Sequence, residues 1–278
     1  MLDDYVANEK RSVDDVRARV ARLNAAFGPR RMLSLTTSDF TAYAARRKTE
    51  GAANATINRE LAAARRAFRL AYQGGRLPQV PHIALLREHN VRSGFVEDDA
   101  FARLVGHLPA AVQPVARFGF ITGWRLSEVL GLEWRQVDLA RGEARLDPGT
   151  TKNGEGRVFP FTAELRTLLT RQHDHTREIE RRTARIIAAV WHRNGKPIRD
   201  FRHAWKTACA AAGCPGLLYH DLRRTAVRRF ERSGIPRRVA MTLTGHKTES
   251  VYTRYAIVSE NDLRAAVEAL DRAPKRRR

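Results

Sequence analysis

Two tyrosines, Tyr252 and Tyr255, close the stretch TGHKTESVYTRY (residues 244–255), which carries His246 near its front. A phenol with an ordinary pKa of roughly 10 is protonated at neutral pH, so it becomes a nucleophile only where neighbours help it ionise or stabilise what it attacks. Groups able to do so are spread along the chain. In GWRLSEVLGLEW (123–134), Arg125 and Glu128 stand three apart on one side of a short helix whose other side is Trp124, Leu126, Val129, Leu130 and Leu132, so the carboxylate can orient the guanidinium. In HDLRRTAVRRF (220–230), His220 and Arg223 share one helical face while Leu222, Ala226 and Phe230 can anchor the other. Lys152 lies in the turn-rich TKNGEGR. Each group alone reads equally as an ordinary ion pair, a surface side chain or a solvated turn lysine. Two arginines, two histidines, a lysine and a late tyrosine together suit the transfer of a phosphodiester. Helical spacing by itself leaves either tyrosine open as the reagent.

Other chemistries find less support. GHKT (245–248) lacks the contiguous Gly-Lys-Ser/Thr of a phosphate-binding loop, so no NTPase is read here. His173, Asp174 and His175 are consecutive on an expected helix and diverge by about 100° each, which suits a solvated face better than a metal. Cys209 and Cys214, in CAAAGC, form no zinc or redox pattern and read as helix-packing thiols.

Lys and Arg number 51 against 30 Asp and Glu, a net charge of +21 that points to a polyanionic partner. Residues 151–278 hold 28 basic and 13 acidic side chains and residues 1–150 hold 23 and 17, so the C-terminal half should meet the anion most. No run of about 18 apolar residues and no leader pattern occurs, and the expected location is the cytoplasm. The tail PKRRR (274–278) reads either as a nuclear address or as a basic arm touching phosphate.

The elements that must position these groups are mostly helices. SVDDVRARVARLNAAF offers Ser12 as an N-cap and a stripe of Val13, Val16, Val20, Leu23 and Phe27. A second helix is expected from about Ser38, with Phe40 and Tyr43 inside and the run Arg46, Arg47, Lys48, stopping at Gly51. A third is expected from about Ala55 to Tyr72, with Ile57, Leu61, Ala64, Phe68 and Tyr72 inside and Arg65, Arg66 and Arg69 largely outside. From Leu77 to Gly94 the pattern breaks into a linker, which places a domain boundary near residue 92. Helices are expected again at 98–107 and 112–122. Three β-like runs near 136–139, 144–147 and 157–161 then suggest a small antiparallel sheet, and helices are expected to dominate to the end.

The chain is identified as resembling a tyrosine recombinase of the phage integrase family. TGWRLSEVLGLEW is similar to the family's first arginine box, HDLRRT to its His-x-x-Arg box, and LTGHKTESVYTRY to its Gly-His to Tyr box, in order over residues 95–258. The resemblance implies a mainly α fold with a small antiparallel sheet, in two domains. Residues 1–92 would be a helical, SAM-like core-binding domain on DNA, and residues 93–278 an α+β catalytic domain. It places the nucleophile nine residues after the Gly-His histidine, at Tyr255 rather than Tyr252. It also implies Arg125, Arg223, His220, His246 and Lys152 as catalytic partners, with Glu128 as a brace and His220 as the base toward the phenol.

The implied activity is site-specific cleavage and rejoining of DNA through a 3′-phosphotyrosyl intermediate, with no metal, nucleotide or other cofactor. A catalytically silent DNA-binding regulator and a type IB topoisomerase are the alternative readings. The implied partners are double-stranded DNA, gripped between the two domains, an accessory directionality factor, and further copies of the chain forming a tetramer on paired sites, in a bacterium or its phage and associated with the nucleoid. Candidate DNA contacts in the first domain are Arg46, Arg47, Lys48, Arg65, Arg66 and Arg69. The stretch SENDLRAAVEALDR, with Ser259 as cap and Leu263, Val267 and Leu270 on one stripe, would dock either on a neighbouring protomer or within its own chain. The opening LDDYVANEKRSV, beside the first core-binding helix, fits either a simpler recombinase or a chain trimmed at its N-terminus.

Overall fold

Spacings of three and four residues build the first unit of this chain, and alternation builds the sheet of the second. The computed structural model describes residues 1–10, 12–88, 94–149, 155–256, 258, 262–264 and 267–268. The chain divides into two compact units, Met1–Val91 and Arg92–Arg278.

In the first unit α1 (Leu2–Ala7), α2 (Val13–Phe27), α3 (Thr37–Thr49) and α4 (Asn54–Gln73) close around Phe40, Tyr43, Ile57, Leu61, Ala64 and Phe68. Phe27 and Phe68 flank Phe40 at centroid distances of 5.2 and 5.6 Å. Ser12 stands at the N-cap of α2 but makes no side-chain cap bond. α3 begins instead on a bond from the Thr36 N–H to the Asp39 carboxylate (2.7 Å). Tyr72, expected inside, is 52% exposed. At this last turn the stripe has drifted and Ala71 packs on the core, because steps of four outrun a 3.6-residue period. The stretch expected to be a linker from Leu77 is irregular but anchored as far as Glu88. Leu77 and Ile83 are buried in this core, and the Asn58 amide brackets the Leu86 N–H (2.7 Å) and C=O (2.8 Å).

In the second unit α5 (Asp98–Gly106) stacks Phe101 on Phe120 of α6 (Gln113–Thr122) at 3.8 Å. α7 (Leu126–Leu130) follows at once. Next come strands β1 (Val137–Asp138), β2 (Glu143–Leu146) and β3 (Arg157–Pro160), an antiparallel sheet in the order β1-β2-β3. Its register pairs Ala144 with Phe159 and Leu146 with Arg157. Ala144, Leu146 and Phe159 are buried, so by the period of two Arg157 shares the inward face of Phe159.

α8 (Ala163–Thr183) begins with the Thr162 hydroxyl accepting from the Leu165 N–H. A hairpin not anticipated from the sequence follows, β4 (His192–Arg193) and β5 (Lys196–Pro197), turning on Asn194 and Gly195 at φ of 51° and 83°. That Asn-Gly pair is the signal that would have marked it. α9 (Arg202–Ala211), α10 (Asp221–Arg232), α11 (Arg237–Thr244) and α12 (Glu249–Thr253) complete the described elements. The core gathers Phe118 between Trp124 and Trp191, each 5.4 Å away, and continues through Leu165, Leu169 and Leu222. Cys209 is buried there, Cys214 packs at its margin, and burial pushes the Cys209 thiol up to about 12.

Candidate active site

Five helix ends and one strand end converge in the second unit. α6 stops at Gly123, whose φ of 64° is left-handed and whose missing Cβ would lie 2.8 Å from Ala226 Cβ on α10. Glycine therefore lets the end of α6 touch α10. Its carbonyl accepts a bond from Arg223 Nη1 at 2.8 Å.

Two residues on, Arg125 caps α7 rather than lying within it. The Glu128 carboxylate accepts from the Arg125 N–H (2.9 Å) and from Arg125 Nη1 (2.8 Å). It also accepts from Arg157 Nη2. Burial pushes the Glu128 carboxyl up, but its bonds to Arg157 and Arg125 outweigh this and hold it below the ordinary carboxylate range. Arg157 was not among the residues singled out from the sequence. Its signal is the alternation of β3, which turns a basic side chain inward beside Phe159.

Arg223, in the first turn of α10, is 1% exposed. Besides Gly123 it bonds His246, Nε donating to Nε2 at 3.2 Å. Its Nη2 is buried with no hydrogen-bond partner among the described residues. Burial, then the charges of Arg125 and Arg157, push this guanidinium below its ordinary range. The Thr244 hydroxyl donates to Ala240 O at 2.7 Å, so at its 2.7 Å contact with His246 Nδ1 it accepts. That assigns the proton to Nδ1 and leaves Nε2 as the acceptor facing Arg223. Burial, reinforced by Arg223, Arg125, Arg157 and His220, lowers His246 to about 3. In this tautomer His246 Nε2 has no proton to donate to a phosphate.

The two tyrosines occupy different environments. Tyr252 is 0% exposed, packed with Val227 and Ala240 and edge-on to His246 at 5.3 Å. Tyr255 is half-buried, and its hydroxyl meets His220 Nε2 at 2.9 Å. Its ring lies 4.7 Å from that of His246, and the guanidinium carbons of Arg223 and Arg224 stand 5.6 and 5.3 Å from its centroid. Burial, then Arg223 and Arg224, lower the pKa of His220, favouring the neutral ring that can accept from a phenol.

The structure thus brings Arg125, Glu128, His220, Arg223, His246 and Tyr255 into one neighbourhood. Lys152 lies outside the described residues, as do Ser259, Leu270 and the PKRRR tail. Leu263 and Val267 of the C-terminal stripe are exposed, and Asp262 bonds Arg228 (3.1 Å) and Arg232 (2.7 Å) of α10.

The basic candidates of the first unit separate. Arg47 is held by Glu60, with Nε at 3.1 Å, and by Glu50. Arg65 donates to Ile83 O at 2.6 Å, and Arg66 grips Asp4 through two 3.0 Å bonds. Arg65 and Arg66, expected largely outside, are half-buried, and each bonds a partner of its own chain. Arg46, Lys48 and Arg69 are exposed, although Arg46 also approaches Glu50 at 3.7 Å. In α8, His173 packs on Trp134 and His175 stacks on His192 at 5.8 Å.

Residues 102–262 match the Phage integrase family, and residues 9–75 match the Phage integrase, N-terminal SAM-like domain. The chain belongs to the phage integrase family. It is 25% identical to the integrase of Salmonella phage P22, covering 70% of this chain and 51% of that protein. It is 26% identical to the tyrosine recombinase XerC of Mycobacterium sp. (strain KMS) over 95% of each. The chain spans about half the length of the P22 integrase and of the shufflon-specific DNA recombinase of Escherichia coli. Its fold superposes on the Tn1549 transposon integrase bound to a circular intermediate DNA, with a TM-score of 0.73, 16% identity and coverage of 97% and 98%. A lambda integrase dimer on a COC' core site gives a TM-score of 0.73 at 16% identity, covering 89% of each. Among the described residues no helix is long and apolar enough to cross a membrane.

Proposed function

We propose that this chain cleaves and rejoins DNA at a specific site, with Tyr255 as the nucleophile. The observation that carries the reading is the 2.9 Å contact between Tyr255 Oη and His220 Nε2, set beside Arg223 Nη2, which has no hydrogen-bond partner among the described residues. The neutral His220 takes the phenol proton as Tyr255 Oη bonds the phosphorus of a DNA phosphodiester. The P–O5′ bond breaks, leaving a 3′-phosphotyrosyl ester, and the 5′-oxygen leaves with a proton that Lys152 is positioned in sequence to deliver. Attack by another strand's 5′-hydroxyl reverses the step. One phosphodiester is exchanged for another of similar energy, so resealing needs no nucleotide. Negative charge growing on the non-bridging oxygens is met by Arg223 and Arg125, whose forks supply the stabilisation that a divalent ion can supply elsewhere.

The partner is double-stranded DNA, approached first through charge, so affinity falls steeply with salt. Of the first-unit candidates, Arg46, Lys48 and Arg69 are exposed and suited to face it. The exposed Leu263 and Val267 suit docking on a second copy, which supports assembly into a tetramer on paired sites, in the cytoplasm of a bacterium or an infecting phage's host. An accessory factor would set direction.

The test is a nicked duplex carrying the junction sequence that flanks the encoding gene. The chain should form an adduct that survives boiling in detergent, absent in Tyr255→Phe and retained in Tyr252→Phe. An adduct in Tyr255→Phe overturns the assignment. No adduct from the unaltered chain favours a DNA-binding regulator, and relaxation of any plasmid regardless of sequence favours a topoisomerase.

A further inference from the structure

Arg157 opens β3, five positions after Lys152 in the sequence, yet its side chain is only 6% exposed. The register that opposes it to Leu146 turns it inward, where its guanidinium lies over the Trp124 ring at 4.9 Å. Its Nη2 donates to Glu128 Oε2, the oxygen that also accepts the Arg125 N–H at 2.9 Å. One buried carboxylate is thus shared by the arginine that would grip phosphate and the arginine that opens β3. A second tie lies close by: Lys247 Nζ meets Glu155 Oε1 at 3.1 Å beside a cavity of about 330 Å³ lined by Glu155, Arg157, Thr242, His246 and Lys247.

We propose that Arg157 is a positioning residue: by holding Glu128 it fixes the Arg125 fork where it would meet the phosphate. This rests on the strand-transfer reading above. Glu128 is a single buried anion between two cations. With one of them removed, its second oxygen loses a charged donor and the carboxylate is free to rotate, carrying Arg125 with it. Small displacements of a gripping group act strongly on a transfer rate and weakly on duplex affinity, which is spread over many phosphates.

The experiment uses the full chain and the same nicked duplex, measuring the single-turnover adduct rate at saturating DNA, the Kd for the duplex, and Tm. Arg157→Met should slow adduct formation about 100-fold and change Kd by less than about threefold. Arg157→Lys, which keeps one charged donor to Glu128, should return to within about tenfold of the unaltered chain. In a Glu128→Gln background, Arg157→Met should slow the reaction by less than about threefold more, since the two act as one unit. An Arg157→Met rate equal to that of the unaltered chain overturns the proposal. So does an equal fold-loss in both backgrounds, or a collapse of Tm and binding that Arg157→Lys fails to restore. Absence of adduct from the unaltered chain overturns the strand-transfer reading instead, and this proposal with it.

Discussion

The Arg157 guanidinium occupies the space a side chain at position 245 would need: a Cβ on Gly245 would overlap Arg157 Nη1 and lie 3.0 Å from its Cζ. Gly245 also holds a φ of 72° as it ends α11. The glycine before His246 therefore serves two ends, a left-handed turn and room for a buried cation. Gly245→Ala should lose at least about 1–2 kcal/mol from the backbone alone. It should also displace Arg157. Thermal unfolding of Gly245→Ala in the Arg157→Ala background should show a smaller loss than in the unaltered chain. Equal losses would mean that the two do not compete for space.

His246 should make the free protein acid-sensitive. Its folded pKa lies at about 3, depressed chiefly by burial and then by Arg223, Arg125, Arg157 and His220. The unfolded ring titrates near about 6.5. Between these values the unfolded chain binds the proton and the folded chain does not, so stability falls as pH drops from about 6.5 toward 3. Tm measured from pH 7 to pH 4 should decline, and His246→Gln should flatten the decline. An unchanged slope in that variant would contradict the assignment.

Arg223 should be a liability to the free chain. Its charge is buried beside Arg125 and Arg157, with Nη2 unpartnered among the described residues, an arrangement suited to an arriving anion. Arg223→Met, of similar volume, should abolish adduct formation while leaving Tm at or above that of the unaltered chain. A fall of several degrees would show that the bonds to Gly123 and His246 outweigh the desolvation of the charge.

If His220 accepts the phenol proton, the adduct rate should rise with pH through the His220 pKa. Burial and the adjoining Arg223 and Arg224 lower that pKa, so the midpoint of the rise should fall below the ordinary histidine value of about 6.5. Single-turnover rates from pH 5 to 8 check this, and His220→Gln should remove the dependence. An inflection above pH 7 would point to another base.

The candidate site boxes were legible because each is local: Arg125 with Glu128, and His220 with Arg223, each pair an N-cap residue with the first turn of the helix that follows. Arg157 was not legible as part of that group. Its place depends on pairing opposite Leu146 and on a carboxylate 29 positions away. The basic helices misled for the same reason. Nothing in RRK or RRAFR reveals that Glu60, Ile83 or Asp4 will claim Arg47, Arg65 and Arg66. The β4–β5 hairpin was within reach, since Asn194-Gly195 marks it, but its strands are two residues each and too short for periodicity to register. The segment from Leu77 to Glu88 looked like a free connection because irregular backbone has no period, whereas its anchors are single residues.

Under the proposed reaction Tyr252, fully buried, would hold and Tyr255, half-buried, would react. The Tyr255 N–H donates to Tyr252 O at 2.8 Å in the turn that closes α12, outside the helix proper. A severed strand joined to the outer ring would thus hang from a short swivel riveted into the protein at the inner one. Pull on that strand would be borne by packed carbon at position 252, leaving the residues around Arg223 undisturbed for the return reaction.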